Sequence, residues 1–210
     1  MVYRKVLQWP DSRLKEISQA VLTFDDSLVQ LVNDMCDTVN VVLGAGLAAP
    51  QIGVHKRVVV LRCAPFEFSN PSPHEKDKDI CVLINPELEL SGDESIWQES
   101  CLSVPKYSGK VRRRRHANLK YQDINGISYE MKVNWPFSGA LQHECDHLDG
   151  IVFIDRLGKR AQQEIKRKIY RALRIPPHKV KKPKVEKEPM DTRLTHGPGK
   201  RKKKRQKRKK

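Results

Sequence analysis

The chain has no apolar run approaching the roughly 20 residues needed to cross a bilayer, and its start, MVYRKVLQWPDSRLKEIS, lacks the apolar core of a signal peptide. These absences predict a soluble, unexported protein, and the expected location is cytoplasmic. Cysteine is scarce: Cys36, Cys63, Cys81, Cys101 and Cys145 are odd in number and widely spaced. In a body long enough to bury a core, that excludes a disulfide framework and predicts reduced thiols, one of which is available to a metal. Aromatic residues make up 6% of the chain, with none after Tyr170, so the end of the chain has nothing on which nucleic-acid bases would stack.

Charge is unevenly distributed over the 210 residues. Residues 1–157 hold 18 basic and 21 acidic side chains, net −3, whereas residues 158–210 hold 23 and 4, net +19. The formal charge of +16 therefore describes neither part. The expected organisation is a catalytic body over 1–157, a basic C-terminal helix over 158–175 and a disordered polybasic tail over 176–210, ending KRKKKRQKRKK.

Within the body, Leu28, Leu31, Val32, Met35, Cys36 and Val39 recur at helical spacing, predicting a core-facing helix from Asp25 to Leu43 with Asp25 or Asp26 as N-cap. Arg57–Arg62 reads as a β-branched strand and Pro65–Asp79 as a polar loop. Cys81–Leu90 reads as two short strands broken at Asn85-Pro86. Asn118–Asp123 and Ile127–Val133 alternate in polarity about Asn125-Gly126, a hairpin signal. A helix follows over PFSGALQHECDHLDG, ended by Gly150, and IVFIDRL returns the chain across the body. A last helix, Lys159–Arg174, puts Ala161, Ile165, Ile169 and Leu173 on one stripe among basic residues. The fold class is α+β: antiparallel or mixed sheets around a central helix, with an N-terminal helix and the basic helix at the end.

The sequence His143-Glu144-Cys145-Asp146-His147 carries the chemistry. On a helix, His143 and His147 are i and i+4, so their imidazoles leave one face a turn apart and can share an ion. Glu144 lies about 100° around from His143, within reach of water at that ion. Such a site suits hydrolysis, because the metal lowers the pKa of water from ~15.7 toward ~7 and a carboxylate accepts the proton. The third ligand stays open on spacing alone. Downstream there are only Asp149 and Asp155; upstream Cys101 would complete a Cys/His/His set, although taken alone this thiol reads more readily as a small buried hydrophobe.

Three segments, GAGLAAPQ (44–51), ESCLS (99–103) and QHECDH (142–147), occur in the order and at the separations of the peptide deformylase motifs GφGφAAxQ, EGCφS and HEφDH. WPDSRL, VLINPEL and DHLDGIVFIDRL add to the resemblance, which covers about residues 3–160. It implies an enzyme that removes the formyl group from the N-terminal formyl-methionine of nascent polypeptides and releases formate. It assigns Cys101, His143 and His147 as ligands of one divalent ion, Fe(II) or else Zn(II) or Ni(II), and Glu144 as general base and then acid. Gln51, through its amide, and Leu102, through its backbone N–H, would stabilise the oxyanion. Gly44 and Gly46 would let an extended peptide lie close to the backbone, as an added strand.

The chain departs from the pattern at Ser100, where the family has Gly. Ala45 is small and Trp97 large for their positions, so these residues, with Glu99, are expected to shape the substrate cleft. Among Arg112–Arg115, Arg113 has the offset at which the family pairs an arginine with the carboxylate of the second motif, here Glu99. The resemblance also implies that Lys166, Arg167, Lys168 and Arg171 face ribosomal RNA near the exit tunnel, with the tail adding salt-dependent, sequence-independent attraction. The alternative reading is a catalytically impaired relative that binds ribosome or RNA through its tail. A zinc endopeptidase would share HExxH but leave Cys101 and Gln51 unexplained.

Overall fold

The structure, a computed structural model, describes residues 3–63 and 77–175. The polar loop over 65–79 lies mostly outside these residues, and the polybasic tail over 176–210 lies wholly outside them. The described chain is α+β, built on one five-stranded sheet. Its strands are β1 (Gly46–Ala48), β2 (Val58–Arg62), β3 (Ile80–Ser100), β4 (Ser108–Gln122) and β5 (Ser128–Asn134). They pair in chain order, every neighbour antiparallel, so the sheet is not mixed. Four helices flank it: α1 (Asp26–Val42), α2 (Phe137–Leu148), α3 (Phe153–Arg156) and α4 (Lys159–Ala172).

Helix α1 begins where its carboxylate cap requires: Asp25 Oδ1 accepts from the backbone N–H groups of Ser27 at 3.0 Å and Leu28 at 3.2 Å. Its buried stripe packs on Val58, Val60, Val82 and Ile84. The opposite face of the same strands, Val59, Leu61 and Leu83, packs on Phe137, Leu141 and Leu148 of α2. With both faces covered, β2 reads as a continuous apolar run instead of an alternating one. Leu43 is not part of α1. It caps the helix in the left-handed conformation (φ 53°), and its 87% exposed side chain stands at the mouth of a cleft.

Asn85-Pro86 does not break the strand. The pairing of β3 with β4 slips between Ile84 and Glu87, and β3 continues to Ser100. Asn85 sits at φ 50°, and its side chain clips another segment: Oδ1 accepts from Val21 N at 2.7 Å, and Nδ2 donates to Val21 O at 2.9 Å and to Gln122 Oε1 at 2.8 Å. A bulge absorbs the proline, and the polar side chain satisfies a backbone that has no strand partner of its own.

The hairpin forms as the Asn-Gly signal predicts, but β4 reaches back to Ser108 and includes all four arginines. Pairing with β3 buries Arg113 and leaves Arg112 and Arg114 exposed. Segment Ile151–Leu157 contains the short helix α3. In α4 only Ile165 and Ile169 are buried; Ala161 is exposed and Leu173, 52% exposed, lies beyond the last turn. These two isoleucines join Trp9, Cys101, Val104, Phe153 and Leu157 in a third apolar cluster, which brings the C-terminal helices against the segment that carries Cys101.

Candidate metal centre and cleft

The ligand atoms of Cys101, His143 and His147 lie within 4.8 Å of one another. Helix α2 supplies both imidazoles, a turn apart, with ring centroids 5.0 Å apart and the rings nearly perpendicular. Cys101 comes from the end of β3, with its Sγ 3.2 Å from His147 Nε2. The sheet thus delivers a thiol to the face on which the helix presents its histidines. One thiolate and two imidazoles, with space for a further ligand, form the donor set that suits a tetrahedral catalytic ion of the Zn or Fe type, and these residues fit such an ion. Neither Asp149 nor Asp155 belongs to the cluster: Asp149 receives Arg57 at 2.7 Å, and Asp155 pairs with Lys15 and Lys166.

The histidines differ in what stands behind them. His143 turns its Nδ1 to Glu99 Oε2 at 2.8 Å, leaving Nε2 for the cluster. Glu99 is 1% exposed and its carboxylate is gripped by Arg113, whose Nε donates to Oε1 at 2.6 Å and Nη2 to Oε2 at 3.0 Å. Burial opposes charge on Glu99, yet the bonds from His143 and Arg113 hold its pKa below the ordinary carboxylate value. Arg113 also donates from Nη1 to Asp146 Oδ2 at 2.7 Å. Glu99, expected to shape the substrate cleft, is among the residues that line it and also supports a histidine, and the Glu99–Arg113 pair forms as its offset suggested. Asp146 was missed by sequence reasoning, although its position one residue before His147 was the available signal.

Glu144 is buried beside this cluster, and burial pushes its pKa up to about 7, with Glu99 adding to the rise and His143 opposing it. Among the described residues, its Oε2 has no hydrogen-bond partner in the protein. Gly46 makes room for it, since a Cβ there would lie 2.7 Å from both Glu144 Oε1 and Leu61 Cδ1. The glycine is thus explained by the carboxylate behind it; Gly44, whose added Cβ would meet Leu102 Cδ1 at 3.1 Å, is less tightly constrained.

Gln51 follows β1 in a 3-10 turn, Ala49–Ile52. Its Oε1 accepts from Ala48 N at 2.8 Å, which turns Nε2 toward Ser103 Oγ (3.1 Å) and Cys101 Sγ (3.5 Å). Pinning one end of the amide aims its donor into the cluster. Ser103 is a further contact that sequence reasoning did not identify.

Beside these groups lies a cleft of about 430 Å³ lined by Gly44, Ala45, Gly46, Gln51, Trp97, Ser100 and Leu102. His143 and Glu144 also line it. Trp97 stands edge-on to Trp135, centroids 4.7 Å apart, and so thickens the cleft wall. Lys106 and Tyr107, unremarked in the sequence, complete the rim. Ser100 is exposed and paired with Ser108; it is not among the described non-glycine residues with positive φ, so its Cβ imposes no backbone strain. Of the basic residues proposed to face RNA, Lys166 lies 3.5 Å from Asp155 and over the Trp9 ring, and Lys168 pairs with Glu164 at 2.7 Å. Arg167 and Arg171 are exposed.

An antiparallel sheet that sets a thiol against an HExxH helix, with a buried carboxyl and a pinned amide at the floor of a cleft, defines a metal-dependent hydrolase. The chain belongs to the polypeptide deformylase family, whose model matches residues 3–163. It is 40% identical over 166 residues to a peptide deformylase of Hahella chejuensis, covering 79% of this chain and 93% of that one. With a peptide deformylase of Zymomonas mobilis it shares 38% over 176 residues, 83% and 97% of the two chains. Among solved structures, a peptide deformylase from Legionella pneumophila matches with TM-score 0.72 and 37% identity, covering 83% and 97%. One from Ehrlichia chaffeensis in complex with actinonin matches with TM-score 0.73 and 34% identity, covering 83% and 99%. Neither the geometry at Ser100 nor these relatives support the impaired, RNA-binding alternative.

Proposed function

We propose that this protein hydrolyses the N-formyl group from the N-terminal formyl-methionine of nascent polypeptides, consuming one water and releasing formate and a free amine. The observation that carries this reading is that Cys101, His143, Glu144 and Gln51 line one cleft beside an edge strand, with the buried His147 completing the cluster of ligand atoms behind them. Cys101, His143 and His147 would hold the ion. A divalent metal there, Fe(II) or else Zn(II) or Ni(II), supplies Lewis acidity and lowers the pKa of water toward ~7.

The remaining chemistry falls to the chain's own groups. Glu144 takes the proton of the attacking water and delivers it to the departing nitrogen, roles for which a carboxyl near neutrality in pKa is suited. Gln51 Nε2 and the backbone N–H of Leu102 donate to the formyl oxygen as it gains charge. The segment Gly44-Ala45 and the edge strand β1 that it enters at Gly46 accept the peptide as an added strand. Trp97 and Ser100 shape the wall against which the methionine side chain rests.

Helix α4 and the tail bring the enzyme to ribosomal RNA, with Arg167 and Arg171 as the main contacts on the helix and Lys166 and Lys168 secondary because each already has an acidic neighbour. The decisive assay is formate release from formyl-Met-Ala-Ser with Fe(II), Ni(II) or Zn(II) supplied anaerobically. Stoichiometric formate and Met-Ala-Ser are expected. Metal-loaded protein that binds the peptide and never releases formate would overturn the reading.

A further inference from the structure

A row of alternating charges runs from the surface to the metal centre. Arg156, in α3, reaches Asp146 with two donors: Nη2 to Oδ1 at 2.5 Å and Nε to Oδ2 at 3.1 Å. Asp146 receives Arg113, Arg113 grips Glu99, and Glu99 holds His143 Nδ1. We propose that Arg156 is a positioning residue for the metal centre, acting through Asp146, Arg113 and Glu99 on the orientation of His143. This inference rests on the reading that His143 is a metal ligand.

Charge balance in a buried place gives Arg156 this role. Asp146, Arg113 and Glu99 are 7%, 4% and 1% exposed. Two carboxylates share one buried guanidinium, and Arg156 supplies the second cation that makes the four groups neutral. Without it, Arg113 alone must satisfy both carboxylates, and its fork is drawn off Glu99 toward Asp146. Asp146 cannot move to compensate, since it lies on α2 next to His147. The slack therefore falls on the Glu99–His143 contact.

The anchor itself is firm. Phe153 and Ile154 are buried, and Asp155 accepts from Val152 N at 3.2 Å and pairs with Lys15 and Lys166. Arg156, with its side chain 45% exposed, leaves no core cavity when shortened, so its effect on the metal separates from an effect on packing. Arg57 offers the natural control. It makes a comparable contact with Asp149, 2.7 Å, on the same side of α2, but Asp149 is half exposed and passes the charge no further toward the ligands.

The experiment uses the full chain and its Arg156→Ala, Arg156→Lys and Arg57→Ala variants. Zn(II) and Co(II) affinity is measured by chelator competition, the Co(II) absorption spectrum reports the ligand geometry, and thermal unfolding monitors the fold. Arg156→Ala is expected to lose about 10-fold in metal affinity, the lower end for partners that orient a metal-binding histidine, with a shifted Co(II) spectrum. Arg156→Lys, a charge without the fork, should recover part of the loss, and Arg57→Ala should match wild type. Wild-type affinity and spectrum in Arg156→Ala, or an equal loss in Arg57→Ala, would overturn the proposal. If Arg156→Ala does not fold, Arg156→Gln is judged by the same two outcomes. A wild-type chain that takes up no metal would instead overturn the metal reading, and this inference with it.

Discussion

His143 and Glu99, 44 positions apart in the chain, meet with Nδ1 2.8 Å from Oε2, and the carboxylate is held from behind by Arg113. A histidine fixed in this way presents its other nitrogen without a search over ring orientations. The contact joins the second and third sequence motifs into one device, and it depends on a strand pairing that neither motif contains.

Glu144→Ala should reduce formate release by at least about 10²-fold, the lower range for a lost general acid–base group. Metal content and thermal stability should stay near wild type, because the carboxylate is not among the clustered donors. Atomic absorption on the purified variant, alongside the formate assay, separates loss of chemistry from loss of metal.

Removing the ion with a strong chelator should abolish activity, and adding back Fe(II), Ni(II) or Zn(II) anaerobically should restore it to different extents. Cys101→Ala should not be restored by any of them, since two imidazoles alone are left. Restoration of that variant to wild-type rates would exclude the thiol as a ligand.

Arg113→Ala leaves Glu99 and Asp146 facing each other with one buried cation gone. Breaking a buried pair in this way costs about 3–5 kcal/mol. Urea unfolding should show that loss, and it should exceed the cost of Arg112→Ala, whose exposed partner Glu94 lies 3.6 Å away.

Gly46→Ala should keep the fold and lose most activity. The new Cβ would lie 2.7 Å from both Glu144 Oε1 and Leu61 Cδ1, so the carboxyl and the tip of Leu61 must both shift. Gly44→Ala has its tightest contact with the tip of Leu102 at 3.1 Å and ordinary contacts with Gly46 O and Val42, and should be milder. A formate assay in which the two variants fall equally would assign the effect to the peptide-binding edge instead of to Glu144.

Ending the chain near Ile175 removes most of the +19 segment. Ribosome pelleting of this version should fall off at lower salt than that of the full chain, because fewer counterions are released. Equal pelleting across the salt series would argue against the tail as an anchor.

The histidine pair was legible because helical periodicity alone places i and i+4 on one face. The hairpin was legible because Asn-Gly encodes a turn locally. The length of β3 was not: a proline within a strand argues for a break, and only the clip from Asn85 to Val21 and Gln122 shows how the sheet continues past it. Among four adjacent arginines, composition offers no choice and only the family offset singled out Arg113; alternation turns Arg112 and Arg114 to the other face, and Glu99 and Asp146 hold Arg113 in the buried position while Arg115 stays exposed.

What the sequence determined by itself was local: the helices and turns whose signals lie within a few residues, the separation of a near-neutral body from a cationic end, and the HExxH pair. What tertiary structure decided was everything that depends on distant segments meeting. The thiol at 101 meets two imidazoles in one cluster of ligand atoms, Glu99 adds support for His143 to its place in the cleft lining, Gly46 yields space to Glu144, and Arg156 reaches Asp146 from α3. Each outcome depends on strand register and helix docking, which arise from burial of the sheet's two faces as a whole and are not written in the spacing of any one motif.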